Sequence, residues 1–255
     1  MVESPTPSPA SARATTPAGA SVLFLHPVSL DSHAIDWLSI EGLTAPSLPG
    51  HGDRDRARPG VTLDDMADEI AGWTDGPVHL IGCSMGGMVA LHFALRHPER
   101  TASLVIGYSP AKANPEIMRQ RADETEHVGS AGMAEGTMRR WFTEAALSAE
   151  PPAAPVAYAR ERLLATRAET IADDWRAIAE HDVLDRLGEL AGIPTTCIAG
   201  RRDLSTPLAA VKTLAAGIPG ARLVVTDHPH MGFLEEPAEF DAIVAEHLAL
   251  AGSAA

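Results

Sequence analysis

Six short apolar runs punctuate the chain, at residues 21–25, 43–48, 78–81, 103–107, 195–199 and 222–226. Each is mostly continuous and bounded by Gly, Pro or polar residues. That pattern fits a strand buried on both faces of a parallel sheet; a strand with one wet face would alternate apolar and polar positions. Helical patterns separate the runs, so the chain predicts an α/β fold: a mostly parallel sheet of about six strands flanked by helices.

Between the fourth and fifth runs, from about residue 111 to 190, apolar residues recur at helical spacing. This stretch is expected to form a helical lid, leaving residues 21–110 and 191–255 as the core. It carries Met118, Met133, Met138, Trp141, Phe142, Tyr158 and Trp175. Helix packing is the default role for any one of these, and Trp141 and Phe142 are the candidates for substrate contact. Residues 1–20, rich in Pro, Ser, Ala and Thr, hold too few large apolar side chains to offset the entropy of ordering and read as a flexible tail.

At 255 residues the chain can bury a sizeable core, and 45% hydrophobic with 21% charged residues excludes a disordered or fibrous class. A formal net charge of −14 works against a polyanionic partner, because nucleic-acid affinity comes largely from Lys and Arg neutralising phosphates. A small-molecule substrate is expected instead. No apolar run approaches the ~18 residues that read as a membrane span, and the first 20 residues lack the apolar centre of a signal peptide, so a cytoplasmic location with no membrane partner is expected. Cys83 and Cys197 are the two cysteines, with no spacing that suggests a disulfide framework or zinc. No metal or other cofactor is called for. Oligomeric state has no signal in the sequence.

The chemistry concentrates at Gly82-Cys83-Ser84-Met85-Gly86, a GxSxG sequence preceded by the 78–81 run and followed by helical spacing through Leu95. With 21 Gly and 15 Ser, such a sequence arises by chance in roughly one chain in ten of this length, so its context carries the weight. A serine on a tight strand-to-helix turn needs neighbours without a Cβ, both to permit the backbone and to let segments pack closely. Its hydroxyl is a poor nucleophile unless a base takes its proton, most often a histidine oriented by a buried carboxylate. Downstream, Asp203 follows the 195–199 run and His230 follows the 222–226 run.

The segments IGCSMGGMVALHFALRHPER, IPTTCIAGRRDLSTP and HMGFLEEPAEF together resemble the α/β-hydrolase family that includes 3-oxoadipate enol-lactonase and related small-molecule esterases. The resemblance spans about residues 22–247. It implies Ser84 as nucleophile, Asp203 as orienting acid and His230 as base. The family pattern has a Glu five residues and a Pro seven residues after the histidine; Glu235 and Pro237 fit that register from His230, whereas His228 does not and reads as a loop histidine.

The segment VLFLHPVSL resembles the family's oxyanion loop, with Pro27 in place of the usual glycine. The implied donors are the amides of Val28 and Met85, and neither is lost to the proline. His26 is a candidate substrate contact, although holding the loop by hydrogen bonds is the simpler role. LPGHGDRDRARPG, with His51 and Asp53, resembles a structural loop of the family. His33, His79, His92, His97, His127, His181 and His247 have no partners at a catalytic or metal spacing and default to surface positions.

The resemblance implies acyl transfer on an ester or lactone of a small organic acid. Carbon–carbon bond hydrolysis, a lyase or cyclase reaction, and ligand binding without turnover are the alternatives on the same scaffold.

Overall fold

The structure is a computed structural model that describes residues 20–253. The tail expected at residues 1–20 lies almost wholly outside them.

The six apolar runs become six strands: β1 (Ser21–Leu25), β2 (Leu43–Thr44), β3 (Val78–Cys83), β4 (Thr101–Gly107), β5 (Thr195–Gly200) and β6 (Arg222–Thr226). They form one sheet in the order β2-β1-β3-β4-β5-β6, and every pairing is parallel. β3 and β5 are buried along their whole length, which is why their sequences are mostly apolar, with His79 and Thr196 finding polar partners inside the protein. β2 is shorter than the 43–48 run predicts. Pro46 has no amide hydrogen for a ladder, and beyond it the Leu48 amide donates to His26 Nε2 at 2.8 Å, outside the sheet.

Nine α-helices connect and cover the strands among the described residues: α1 (Leu63–Ala71), α2 (Met85–Arg96), α3 (Pro115–Trp141), α4 (Glu144–Ser148), α5 (Ala154–Ala165), α6 (Ala168–Ala179), α7 (Leu208–Gly217), α8 (Gly232–Glu235) and α9 (Pro237–Ser253). α1 starts on a capping box in which Thr62 and Asp65 satisfy each other's backbone amides. α2 packs on β1, β3 and β4, α9 on β4, and α7 on β5 and β6. Helices α3 to α6 occupy the interval between β4 and β5, and α3 is two helices joined by a kink at Gly129, where φ is 70°.

Three histidines depart from the surface default. His79, His181 and His247 are buried, because polar neighbours satisfy their rings inside the protein. Ser103 Oγ lies 2.7 Å from His79 Nδ1 and 2.8 Å from His247 Nε2, and Thr196 Oγ1 lies 2.9 Å from His247 Nδ1. This chain of contacts joins α9 to the sheet. His181 sits between His92 and the Pro110 carbonyl at 3.0 Å from each. Among the described residues, no helix is long and apolar enough to cross a membrane.

Candidate active site

Ser84 stands at the turn between β3 and α2 with φ 54° and ψ −121°. A positive φ is uncommon outside glycine, and such strain persists only where the surroundings over-determine it. Here they do. A Cβ on Gly86 would overlap the Leu25 carbonyl, and one on Gly82 would overlap the Gly86 carbonyl, so only glycine lets β1, β3 and α2 approach this closely. The Ser84 amide is itself held by the Gly107 carbonyl of β4 at 2.9 Å.

Asp203 and His230 arrive in the loops after β5 and β6 and meet Ser84 in a continuous relay. Ser84 Oγ lies 3.0 Å from His230 Nε2, and His230 Nδ1 lies 2.9 Å from Asp203 Oδ2. The other Asp203 oxygen, Oδ1, accepts from the Ser205 and Thr206 amides at 2.7 and 2.8 Å. With the carboxylate fixed as acceptor, Nδ1 carries the imidazole proton and Nε2 is free to accept from the serine. Asp203 and His230 are both buried, and the Tyr108 ring packs edge-on to the imidazole at 6.3 Å. His228 lies outside this relay, with its Nε2 2.7 Å from Glu239.

The relay opens into a cavity of about 410 Å³, which falls within the range of small-molecule sites. The core contributes Pro27, Val28, Ser84, Met88, His230 and Met231 to its walls. Val28 follows β1 on the wall that Ser84 shares, and Met85 is the first residue of α2, where an amide has no partner within the helix. The segment between β4 and β5 supplies the opposite wall, including Met118, Trp141, Trp175 and Ile178.

Two substrate-contact candidates sit elsewhere. His26 is fully buried; its Nδ1 lies 2.8 Å from the Pro27 carbonyl and its Nε2 accepts from Leu48, so both ring nitrogens are spent on the loop. Burial, and then the neighbouring His51, push its pKa down to about 3, which keeps it neutral. Phe142 lines a separate depression with Leu147, Arg202 and Pro229. The chain leaves the helix at this residue (φ −127°, ψ 161°), turning its side chain away from the cavity that Trp141 lines.

The loop after β1 is also tied to the helical segment. Tyr158 Oη donates to Asp31 Oδ1 at 2.8 Å, Arg162 reaches Asp31 Oδ2 at 3.2 Å, and Thr166 Oγ1 donates to the Ser29 carbonyl at 3.1 Å. From the histidine loop, the Met231 amide donates to the Trp141 carbonyl at 2.9 Å. Both loops flanking Ser84 are thus braced by the segment that lines the far side of the cavity. Cys83 and Cys197 are buried thiols whose pKa values burial raises, that of Cys197 to about 12. Among the described residues, no three His, Cys, Asp or Glu side chains come together as a metal-ligand set.

Sequence reasoning did not single out Lys112, Asn114, Arg121 or Arg140, all of which line the cavity. A signal was present in Gly129, which breaks the helical spacing and brings the two halves of α3 to one site.

A profile of the alpha/beta hydrolase family matches residues 22–243. The chain is 30% identical over 245 residues to a pimeloyl-(acyl-carrier protein) methyl ester esterase of Nitrosomonas europaea, spanning 89% of this chain and 94% of that protein. It is 29% identical over 196 residues to 3-oxoadipate enol-lactonase 1 of Acinetobacter baylyi, spanning 75% and 72%. The crystal structure of the enol-lactonase from Burkholderia xenovorans LB400 superposes with a TM-score of 0.85 over 93% of this chain and 94% of that one, at 23% identity, which is a likeness of fold.

Proposed function

The chain belongs to the alpha/beta hydrolase family, and from that premise we propose that it is a serine hydrolase cleaving an ester or lactone of a small organic molecule through an acyl-enzyme. The observation that carries this reading is the relay from Asp203 through His230 to Ser84, opening into a cavity of small-molecule size. The names of two relatives, a methyl ester esterase and an enol-lactonase, support ester or lactone chemistry.

In this mechanism Ser84 Oγ attacks the substrate carbonyl while its proton passes to His230 Nε2. Asp203 stabilises the imidazolium and holds its tautomer without taking the proton. Charge moves to the carbonyl oxygen, where the Val28 and Met85 amides donate to it, and the N-terminus of α2 adds its positive end. The tetrahedral intermediate collapses as His230 returns the proton to the leaving alkoxide. A water then repeats the sequence, with His230 as base, to release the acid and restore Ser84.

The test is turnover of a panel of short-chain esters and lactones by the wild type and by Ser84→Ala. The expected loss is about 10⁴-fold or more, the scale seen when a triad serine is removed. A purified, folded Ser84→Ala variant that keeps most of the wild-type rate overturns the assignment.

A further inference from the structure

The cavity wall opposite Ser84 holds two arginines that the hydrolytic mechanism does not use. Arg121 belongs to the first half of α3 and Arg140 to the second. A straight helix would separate positions 19 residues apart by about 28 Å, yet the kink at Gly129 lets both line the same cavity, close enough for Arg140 to disfavour the charge on Arg121.

Their surroundings set them apart from the other partly buried arginines among the described residues. Arg54, Arg162, Arg176 and Arg222 each meet a carboxylate, and Arg100 is satisfied by backbone carbonyls. Arg121 and Arg140 meet neither. Arg140 donates to the Thr137 hydroxyl at 3.0 Å, and Arg121 lies over the Trp175 ring at 5.1 Å. Burial lowers the pKa of both, the Arg140 charge lowers that of Arg121 further, and Glu124 only partly offsets this. Lys112, at the same cavity, is already paired with Asp182 at 2.6 Å.

In a chain with 34 acidic and 20 basic residues, two half-buried cations facing a cavity without a carboxylate are a site waiting for an anion. A guanidinium presents a planar fork of donors that matches a carboxylate, and its weak hydration favours such a partly buried pairing. The surrounding wall is apolar, with Ile117, Met118, Trp141 and Trp175, and suits the short carbon chain between an anionic end and a reactive carbonyl.

We propose that Arg121 and Arg140 form a carboxylate subsite, so that the substrate is an ester or lactone carrying a free carboxylate on the part that reaches the α3 wall. This assignment deepens the serine-hydrolase reading and rests on it for the reaction. Occupancy of the subsite itself does not depend on turnover. The two arginines determine specificity: they hold the far end of the substrate while Ser84 meets its carbonyl.

The experiment has two arms. In the first, hydrolysis of the monomethyl esters of succinic, glutaric and adipic acids is compared with that of the matching carboxamides, which replace the carboxylate by a neutral group of the same shape. The wild type is expected to prefer the acids in kcat/KM by roughly 10- to 100-fold, the scale of charge-assisted hydrogen bonds. Arg140→Gln and Arg121→Met should collapse that ratio mainly through KM, and Arg140→Lys should restore part of it. In the second arm, calorimetry measures glutarate and glutaramide binding to each protein, with melting curves as the check on folding. Arg121→Met could disturb the stacking on Trp175; Arg140→Gln has no such role and keeps the test decisive if the first variant is unstable.

Preferential binding of glutarate that weakens at least tenfold in folded Arg140→Gln supports the subsite, even if no ester is hydrolysed; that combination would remove the hydrolase reading alone. Equal handling of acid and amide by the wild type, or an unchanged preference in folded Arg140→Gln, overturns the subsite whether or not the esters turn over.

Discussion

Asp203→Asn separates the orienting role of the carboxylate from its place in the fold, and the geometry says which way the new amide must face. Oδ1 of Asp203 accepts two backbone amides, from Ser205 and Thr206 at 2.7 and 2.8 Å, while Oδ2 faces His230 Nδ1 at 2.9 Å. Placing the new NH₂ against two N–H donors would leave buried donors unsatisfied at about 1–3 kcal/mol each. The amide oxygen therefore stays at the Oδ1 position and the NH₂ points at His230. Nδ1 must then accept, the proton moves to Nε2, and the histidine can no longer take the proton of Ser84. A wrong tautomer in a Ser-His-Asp site costs about 10⁴ in kcat, or roughly 5.5 kcal/mol of barrier.

The fold should survive that substitution. The two backbone donors meet a neutral oxygen in place of a charged one, a loss of about 1 kcal/mol apiece against a typical stability of about 5–15 kcal/mol. The assay is steady-state hydrolysis of the best ester from the panel, with thermal melting of the same preparations. An Asp203→Asn variant that melts normally and turns over within tenfold of the wild type refutes the tautomer argument.

Two further perturbations probe the scaffold. Gly86→Ala drives a Cβ into the Leu25 carbonyl, a backbone atom that cannot yield without moving β1; the expected result is a loss above about 3 kcal/mol or failure to fold, and wild-type melting would contradict it. The second is acid sensitivity. Burial, with smaller contributions from His79 and Arg222, pushes the pKa of His247 down to about 4. An unfolded histidine binds its proton near pH 6.5, so between pH 6.5 and about 4 the unfolded chain holds more protons and stability falls as pH falls, levelling off below the folded pKa. At pH 5 this one group costs about 2 kcal/mol. His247→Gln should flatten the difference between urea stabilities at pH 7 and pH 5 by about that amount, and an unchanged difference would count against the buried neutral histidine.

The legible parts of this protein are those where one physical demand leaves few residue choices. Strands covered on both faces are mostly apolar, so 78–81 and 195–199 announce β3 and β5 even though each carries a polar residue. A serine at φ 54° needs Gly82 and Gly86 beside it, and that spacing is visible in a single chain. Asp203 and His230 could be named because each closes a strand-to-loop pattern in a known order. The failures also have local causes. The 43–48 run overextends β2, because its apolar residues continue past Pro46 while the ladder stops at Thr44. Trp141 and Phe142 looked equivalent, but the helix ends between them and the side chains part. His79, His181 and His247 read as surface residues because the hydroxyl and carbonyl groups that satisfy them lie far away in sequence. Arg121 and Arg140 meet because α3 kinks at Gly129: the glycine is visible in the sequence, but the place to which the kink carries the two arginines is not.

In the proposed mechanism His230 activates Ser84 as a nucleophile. The most direct test of that activation is labelling with a fluorophosphonate serine probe, followed by peptide mass mapping, of the wild type and His230→Ala. A single adduct on Ser84 is expected in the wild type and should be lost in folded His230→Ala; a folded wild type that stays unlabelled, or a His230→Ala variant labelled at the same rate, would rule the activation out.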